Sequence, residues 1–143
     1  MSFFNASMPR PNPNFDDKDF WNFCKQKELR FQTCAVCEMA RHPPTPLCPH
    51  CHSFNTIWKK SSGQARVYTY TVIHHASHEA VTANLPYVVA VVIFDDIPNV
   101  RLVTNITEID PKDVQIGMPL EVWWDAIEDG MHLPRFRAVK GKI

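Results

Sequence analysis

No stretch of this sequence is apolar for long enough to cross a bilayer, which takes about 18–20 residues. The longest run, Leu85 to Phe94, has ten residues and contains a proline. Met1 to Ser7 lacks a basic segment followed by an apolar one, so no secretory leader is expected. The expectation is a soluble chain working in the cytoplasm, away from membranes. Net charge is missing too: 15 Lys and Arg balance 15 Asp and Glu. His-Glu-x-x-His is absent, because Thr82 stands where the second histidine after His78 and Glu79 would be. With 45% hydrophobic and 21% charged residues, the 143-residue chain is ordinary globular material, one domain or two small ones, and is not disordered.

The balance of charge is a sum of opposites. Residues 1–24 carry −1, residues 25–66 carry +5, residues 67–134 carry −8 and residues 135–143 carry +4. An acidic middle flanked by basic ends is a poor match for a phosphate backbone, whose capture depends on clustered Lys and Arg.

Four of the five cysteines form two pairs, Cys34-Ala35-Val36-Cys37 and Cys48-Pro49-His50-Cys51, ten residues apart. Two such knuckles supply four thiolates that close a tetrahedron around Zn²⁺. The spacer is shorter than the common 15–20 residues but long enough to bring the pairs together. Disulfides are disfavoured without a secretory signal. Thioredoxin-type redox chemistry needs a βαβ context, and here Pro43, Pro44, Pro46 and Pro49 crowd the approach. A mixed site drawing on His42, His50 or His52 is the remaining rival. Four cysteines fill every coordination position, so the metal is expected to be structural. Between residues 32 and 56 the only large apolar groups are Val36, Met39, Leu47 and Phe54, so the segment has little else to fold on.

Around the knuckles the chain reads as arm, helix and strands. Residues 1–15, with Pro9, Pro11 and Pro13, are expected to be an extended arm. Asn14 or Asp16 can cap a helix over 16–30 whose apolar stripe holds Phe20, Phe23 and Cys24, the last as a core thiol. A ribbon over 31–60 follows, and then, over 61–143, five strands: Ala65–Ile73, Tyr87–Phe94, Arg101–Ile106, Leu120–Trp124 and Phe136–Val139. The second is continuously apolar, as in a strand buried on both faces. Asp110 before Pro111 predicts a helical turn between the third strand and the fourth. The class is mainly β, and this strand order is the layout of a five-stranded OB-fold barrel.

These blocks together resemble a known family. Glu28-Leu29-Arg30-Phe31-Gln32-Thr33-Cys34 with Cys37, Cys48-Pro49 with Cys51, Ser62-Gly63, Tyr68 to Val72, Pro86 to Ala90 and Gly117-Met118-Pro119 look like the zinc-ribbon/OB-fold family associated with thiolases, long labelled a domain of unknown function. The likeness covers about residues 16–139. Glu38 departs from it, since the family usually has glycine after the first knuckle. The resemblance implies an N-terminal helix, a rubredoxin-like zinc ribbon and an OB barrel that serves acyl-CoA or a protein partner. It also implies a separate, small subunit of a heteromeric thiolase, such as one cleaving benzoylsuccinyl-CoA, with a lipid-transfer-type aldolase of steroid side-chain breakdown or a hydratase as alternatives.

Catalysis by the chain itself is not expected, because the knuckles claim four cysteines and Cys24 lies on an apolar stripe. Acyl-CoA, as ligand of the complex, would need cations for its phosphates. Lys59, Lys60 and Arg66 at the barrel entry, with Arg135, Arg137 and Lys140 at its last strand, are the candidates. The alternative for all six is solvated surface or pairing with the barrel's own carboxylates. His74, His75 and His78 fall in the loop after the first barrel strand. Trp124, taken as the outward member of Trp123-Trp124, joins them as a candidate interface residue. Single-strand nucleic-acid binding, with Tyr68, Tyr70 and Trp124 as stacking platforms, is the reading from another class, and the −8 segment opposes it.

Overall fold

The computed structural model describes residues 2–140; Met1 and residues 141–143, which belong to the expected arm and barrel segments, lie outside the described residues. Helix α1, Lys18–Lys25, leads into a ribbon of three short strands, β1 (Arg30–Cys34), β2 (Ala40–Arg41) and β3 (Thr56–Lys60), ordered β2-β1-β3. The barrel strands are β4 (Gln64–Ile73), β5 (Tyr87–Ile93), β6 (Arg101–Ile106), β7 (Pro119–Ala126) and β8 (His132–Ala138), closed in the order β4-β5-β6-β8-β7. Among the described residues this is the mainly β, one-helix, ribbon-and-OB architecture expected from the sequence.

Helix α1 is shorter than the expected 16–30. It ends at Lys25 because Lys27 sits at φ 60° and closes a left-handed cap. The Lys27 amide donates to the Cys24 carbonyl at 2.9 Å and the Glu28 amide to the Phe23 carbonyl at 3.0 Å. Released this early, the chain enters β1 with Leu29 and Phe31 buried. The helix buries Phe20 and Cys24 against them, and an aromatic file continues the contact inward. Phe20–Phe31, Phe31–Phe94 and Phe94–Phe136 have ring centroids 6.2, 5.1 and 6.0 Å apart. Ribbon, helix and barrel therefore share one core. Where β3 passes into β4, Ser61 Oγ and the Ser62 amide donate to the Asp96 carboxylate, at 3.0 and 2.7 Å. The turn also requires Gly63: its φ is +85°, and a Cβ there would stand 2.3 Å from Val122 Cγ1.

Barrel closure is uneven. β4–β5, β5–β6 and β7–β8 are long antiparallel ladders, whereas β6 meets β8 in parallel through the single pair Ile106–Phe136. One side-chain bond and one further backbone bond reinforce that seam: Thr104 Oγ1 donates to the Pro134 carbonyl at 2.9 Å, and the Thr107 amide donates to the Phe136 carbonyl at 2.9 Å. β5 is not buried on both faces as its composition suggests. Val88, Ala90 and Val92 fill the core, while Tyr87, Val89, Val91 and Ile93 face outward, half-buried.

The expected extended arm is anchored at its tip. Phe4 is buried, edge-on to Tyr87 at 5.1 Å, and Asn84 Nδ2 donates to the Phe3 carbonyl at 2.8 Å. Arg10 pairs with Asp129 across a sequence separation of 119. Apolar burial at the tip, not backbone stiffness alone, sets the arm's course.

Candidate metal centre and the surfaces around it

Each knuckle is a tight turn closed on its own backbone. The Glu38 amide donates to the Cys34 carbonyl at 3.0 Å and the His52 amide to the Cys48 carbonyl at 2.9 Å. Glu38 and His52 adopt left-handed φ of 64° and 65°, so the turn favouring glycine forms with Glu in its place. The four Sγ atoms lie within 4.8 Å of one another, with Cys34–Cys51 at 3.5 Å and Cys37–Cys48 at 3.6 Å. A Zn²⁺ tetrahedron with bonds of about 2.3 Å has sulfur–sulfur edges of about 3.8 Å, so the cluster fits the ion closely. The Cys37 and Val36 amides point at Cys34 Sγ, both at 3.4 Å, and pull that thiol down from 9.0 to about 6. The Cys51 and His50 amides shift Cys48 in the same direction. Amides aimed at sulfur stabilise thiolates, the form that ligates metal, while in the metal-free cluster the hydrogen bonds among the sulfurs push Cys37 and Cys51 the other way, up.

The histidines stand outside this cluster. His50 and His52 are exposed. His42 packs its ring 4.7 Å from Phe20 and 5.4 Å from Phe31, and burial pushes it down to about 4. Cys24 is fully buried, which pushes its thiol up to about 12. It is a core group, as read from the helical stripe.

The six candidate cations do not form one group. Lys59, Lys60 and Lys140 are exposed. Arg66 holds Asp95 at 3.2 Å, and Arg137 lies 3.4 Å from Glu108 and 3.8 Å from Glu121. Arg66 and Arg137 sit on the two strands that flank the start of β7, where Arg66 is opposite Pro119 and Arg137 opposite Glu121. Arg135 is a correction, because it is buried. Its Nε donates to Asp125 Oδ2 at 2.6 Å and its Nη1 to Asn105 Oδ1 at 2.5 Å, and its guanidinium lies over Phe3 and Phe4 at 5.4 and 5.1 Å. Asp125, fully buried, also accepts the Phe3 amide at 3.1 Å. This knot of arm, β6, β7 and β8 escaped sequence reasoning because a lone Arg and a lone Asp in separate strands carry no local signal.

The remaining candidates are scattered similarly. His74 and His75 are exposed, while His78 caps the 3₁₀ turn Glu79–Asn84, its Nδ1 accepting the Ala80 amide at 3.0 Å. The two tryptophans exchange their expected faces. Trp124 packs against the core, and Trp123 points the other way, its indole N–H donating to Thr107 Oγ1 at 2.8 Å. Tyr70 also packs against the core and Tyr68 is covered by Arg101 at 4.2 Å, so the three aromatics do not make a common stacking platform.

Comparison with known proteins follows the same division of the chain. A model of the ChsH2 rubredoxin-like zinc ribbon domain matches residues 21–56, and one of the ChsH2 C-terminal OB-fold domain matches residues 58–125. A probable enoyl-CoA hydratase alpha subunit of Thermomonospora curvata is 42% identical over 132 residues, 92% of this chain and 40% of the relative. The chain thus spans about two fifths of that subunit's length. A DUF35 domain-containing scaffold protein of Methanocaldococcus jannaschii is 35% identical over 101 residues, 68% of each chain. Among solved structures, a chain of the Ltp2-ChsH2(DUF35) aldolase superposes with a TM-score of 0.82 at 41% identity, covering 90% of this chain and 98% of that one. The chain belongs to the ChsH2 (DUF35) family of zinc-ribbon and OB-fold proteins.

Proposed function

We propose that this chain is a zinc-stabilised scaffold subunit that assembles with a lipid-transfer-type aldolase, or with a related hydratase, acting on acyl-CoA thioesters. The observation that carries this reading is the likeness along 98% of a chain named in an aldolase complex. The hydratase alternative rests on the Thermomonospora relative. Both relatives are named for these activities and neither for a thiolase, so the reading moves from the thiolase expected from the sequence to the aldolase or hydratase that stood beside it.

The chain's own groups suit support. Zn²⁺, held by Cys34, Cys37, Cys48 and Cys51, would supply a fixed cross-link between the knuckles and no open coordination position. Cys24 is locked in the core as a neutral thiol, His42 is a half-buried neutral imidazole packed on two phenyl rings, and Asp125 and Arg135 neutralise each other. Direct contact with acyl-CoA is assigned, within this proposal, to the exposed Lys59, Lys60 and Lys140, with Arg66 and Arg137 released from weak surface pairs. Arg135 is withdrawn from that role.

Co-expression with an Ltp2-type aldolase subunit, or with the catalytic subunit of a hydratase, tests the reading. A stable complex whose activity needs both chains is the expected result. A partner fully active alone, or no complex with either kind, would refute it.

A further inference from the structure

The outer face of the barrel at β4, β5 and β6 breaks the usual rule for antiparallel sheets. Such sheets cover one face and solvate the other, with polar residues outward. Here the outward positions of β5 are Tyr87, Val89, Val91 and Ile93. Register places Val91 between Thr69 and Val103, Ile93 between Arg66 and Arg101, and Val89 between Thr71 and Asn105. Val103 is 69% exposed, and Tyr68, the extra residue where the β4–β5 register shifts, is 43% exposed. The face is therefore a β-branched apolar centre with cations at one end. It runs without interruption into a cleft of about 450 Å³, which Val89 and Val103 line from the barrel side and Trp21, Pro43 and Pro44 from the helix and ribbon. Sequence composition marks β5 as a strand covered on both faces, and this chain covers the outer one only in part, with Phe4 of the arm over Tyr87 at one end and the Val91–Val103 centre left open.

The charges on the face say what completes it. Arg66 is paired with Asp95, whereas Arg101 has no acidic partner among the described residues and lies over the Tyr68 ring. A second copy of the same face would bring two more arginines, and an Asp95 already engaged, against an unpaired guanidinium. That arrangement is repulsive.

We propose that the β4–β5–β6 face, centred on Val91 and Val103 and continued by the cleft beneath Trp21, is the docking surface for the catalytic subunit, and that the subunit meets it with an apolar patch bearing a carboxylate for Arg101. This rests on the reading of the chain as a scaffold and names the surface that does the work. The Arg101–Tyr68 stack holds the guanidinium in place before the partner arrives, which lowers the ordering cost of the contact.

The test compares the wild-type chain with Val103→Glu and Arg101→Glu for binding to the Ltp2-type aldolase subunit, by calorimetric titration. Val103 is exposed enough that its replacement leaves the fold intact, which zinc content and circular dichroism check, and Arg101→Glu offers a second route. Each substitution is expected to weaken the complex about tenfold or more, because a charge is buried unpaired in one and a cation inverted in the other. The chain alone is expected to stay monomeric throughout. Unchanged affinity in both variants overturns the assignment of the face while leaving the scaffold reading standing. A wild-type dimer dissolved by Val103→Glu overturns it in favour of self-association. Failure of the wild-type chain to bind an aldolase or hydratase subunit overturns the scaffold reading and the face together.

Discussion

Asp125→Ala tests the buried knot that the sequence did not reveal. Asp125 is fully buried, and the Arg135 side chain is 9% exposed. Their contact at 2.6 Å is therefore screened far less than the Arg66–Asp95 pair, whose side chains are 48% and 75% exposed. Removing the carboxylate leaves a guanidinium in the interior with Asn105 as its one remaining side-chain acceptor among the described residues, and orphans the Phe3 amide. Breaking one side of a buried pair costs about 3–5 kcal/mol, a third or more of a typical domain's stability. For a chain of this size the loss lowers Tm by about 10 °C or more. Replacing both partners, Asp125→Leu with Arg135→Met, removes the uncompensated charge and is expected to recover much of the loss. Breaking the exposed pair with Asp95→Ala costs at most about 1 kcal/mol. Urea titrations followed by circular dichroism supply all three numbers. An Asp125→Ala penalty below about 1 kcal/mol, or a double variant no better than the single ones combined, would refute the argument. The same reasoning makes Arg135→Ala a poor probe of acyl-CoA contact, since it would report on stability first.

Zinc should be present at about one ion per chain by elemental analysis, lost with Cys48→Ser and kept with Cys24→Ser, because only the former removes a sulfur from the cluster. Chelation should expose four thiols to an alkylating reagent, the fifth reacting only after unfolding. Cys24 also sets an alkaline limit: the folded chain keeps this thiol neutral up to about 12, whereas the unfolded chain ionises it above 9.0. Its contribution is complete below 9.0 and lost as pH rises through that interval, so Cys24→Ala should flatten the alkaline arm of a stability–pH curve. Phe4→Ala should release the arm, read as faster amide exchange over residues 2–15, with the barrel's own protection retained.

The zinc cluster was legible because its signal is local: four cysteines at fixed spacing specify the chemistry before any fold is known. Strand order was legible for the related reason that β-branched runs and the Asp110–Pro111 turn mark themselves. What stayed hidden depends on contacts distant in sequence. Arg135 meets Asp125 across a hairpin and Asn105 across the barrel seam, and a basic residue at the start of a basic segment looks like solvated surface until the strands are placed. Alternation says that Trp123 and Trp124 face opposite ways, not which of them faces inward, and it is Trp124 that packs on the core. Helix α1 stops at Lys25 without a local signal because Lys27, not a glycine, takes the left-handed position that ends it.

The single parallel contact between β6 and β8 has a consequence for how the chain is made. Synthesis delivers β4, β5, β6 and β7 first, and until β8 arrives the free edges of β6 and β7 have no mate. Through that interval the growing polypeptide offers two unguarded strand edges beside a β-branched neighbour, the situation in which nascent sheets capture each other. The last strand is thus a lock as well as a wall. A polypeptide halted before His132 should gather in inclusion bodies even though its knuckles are complete.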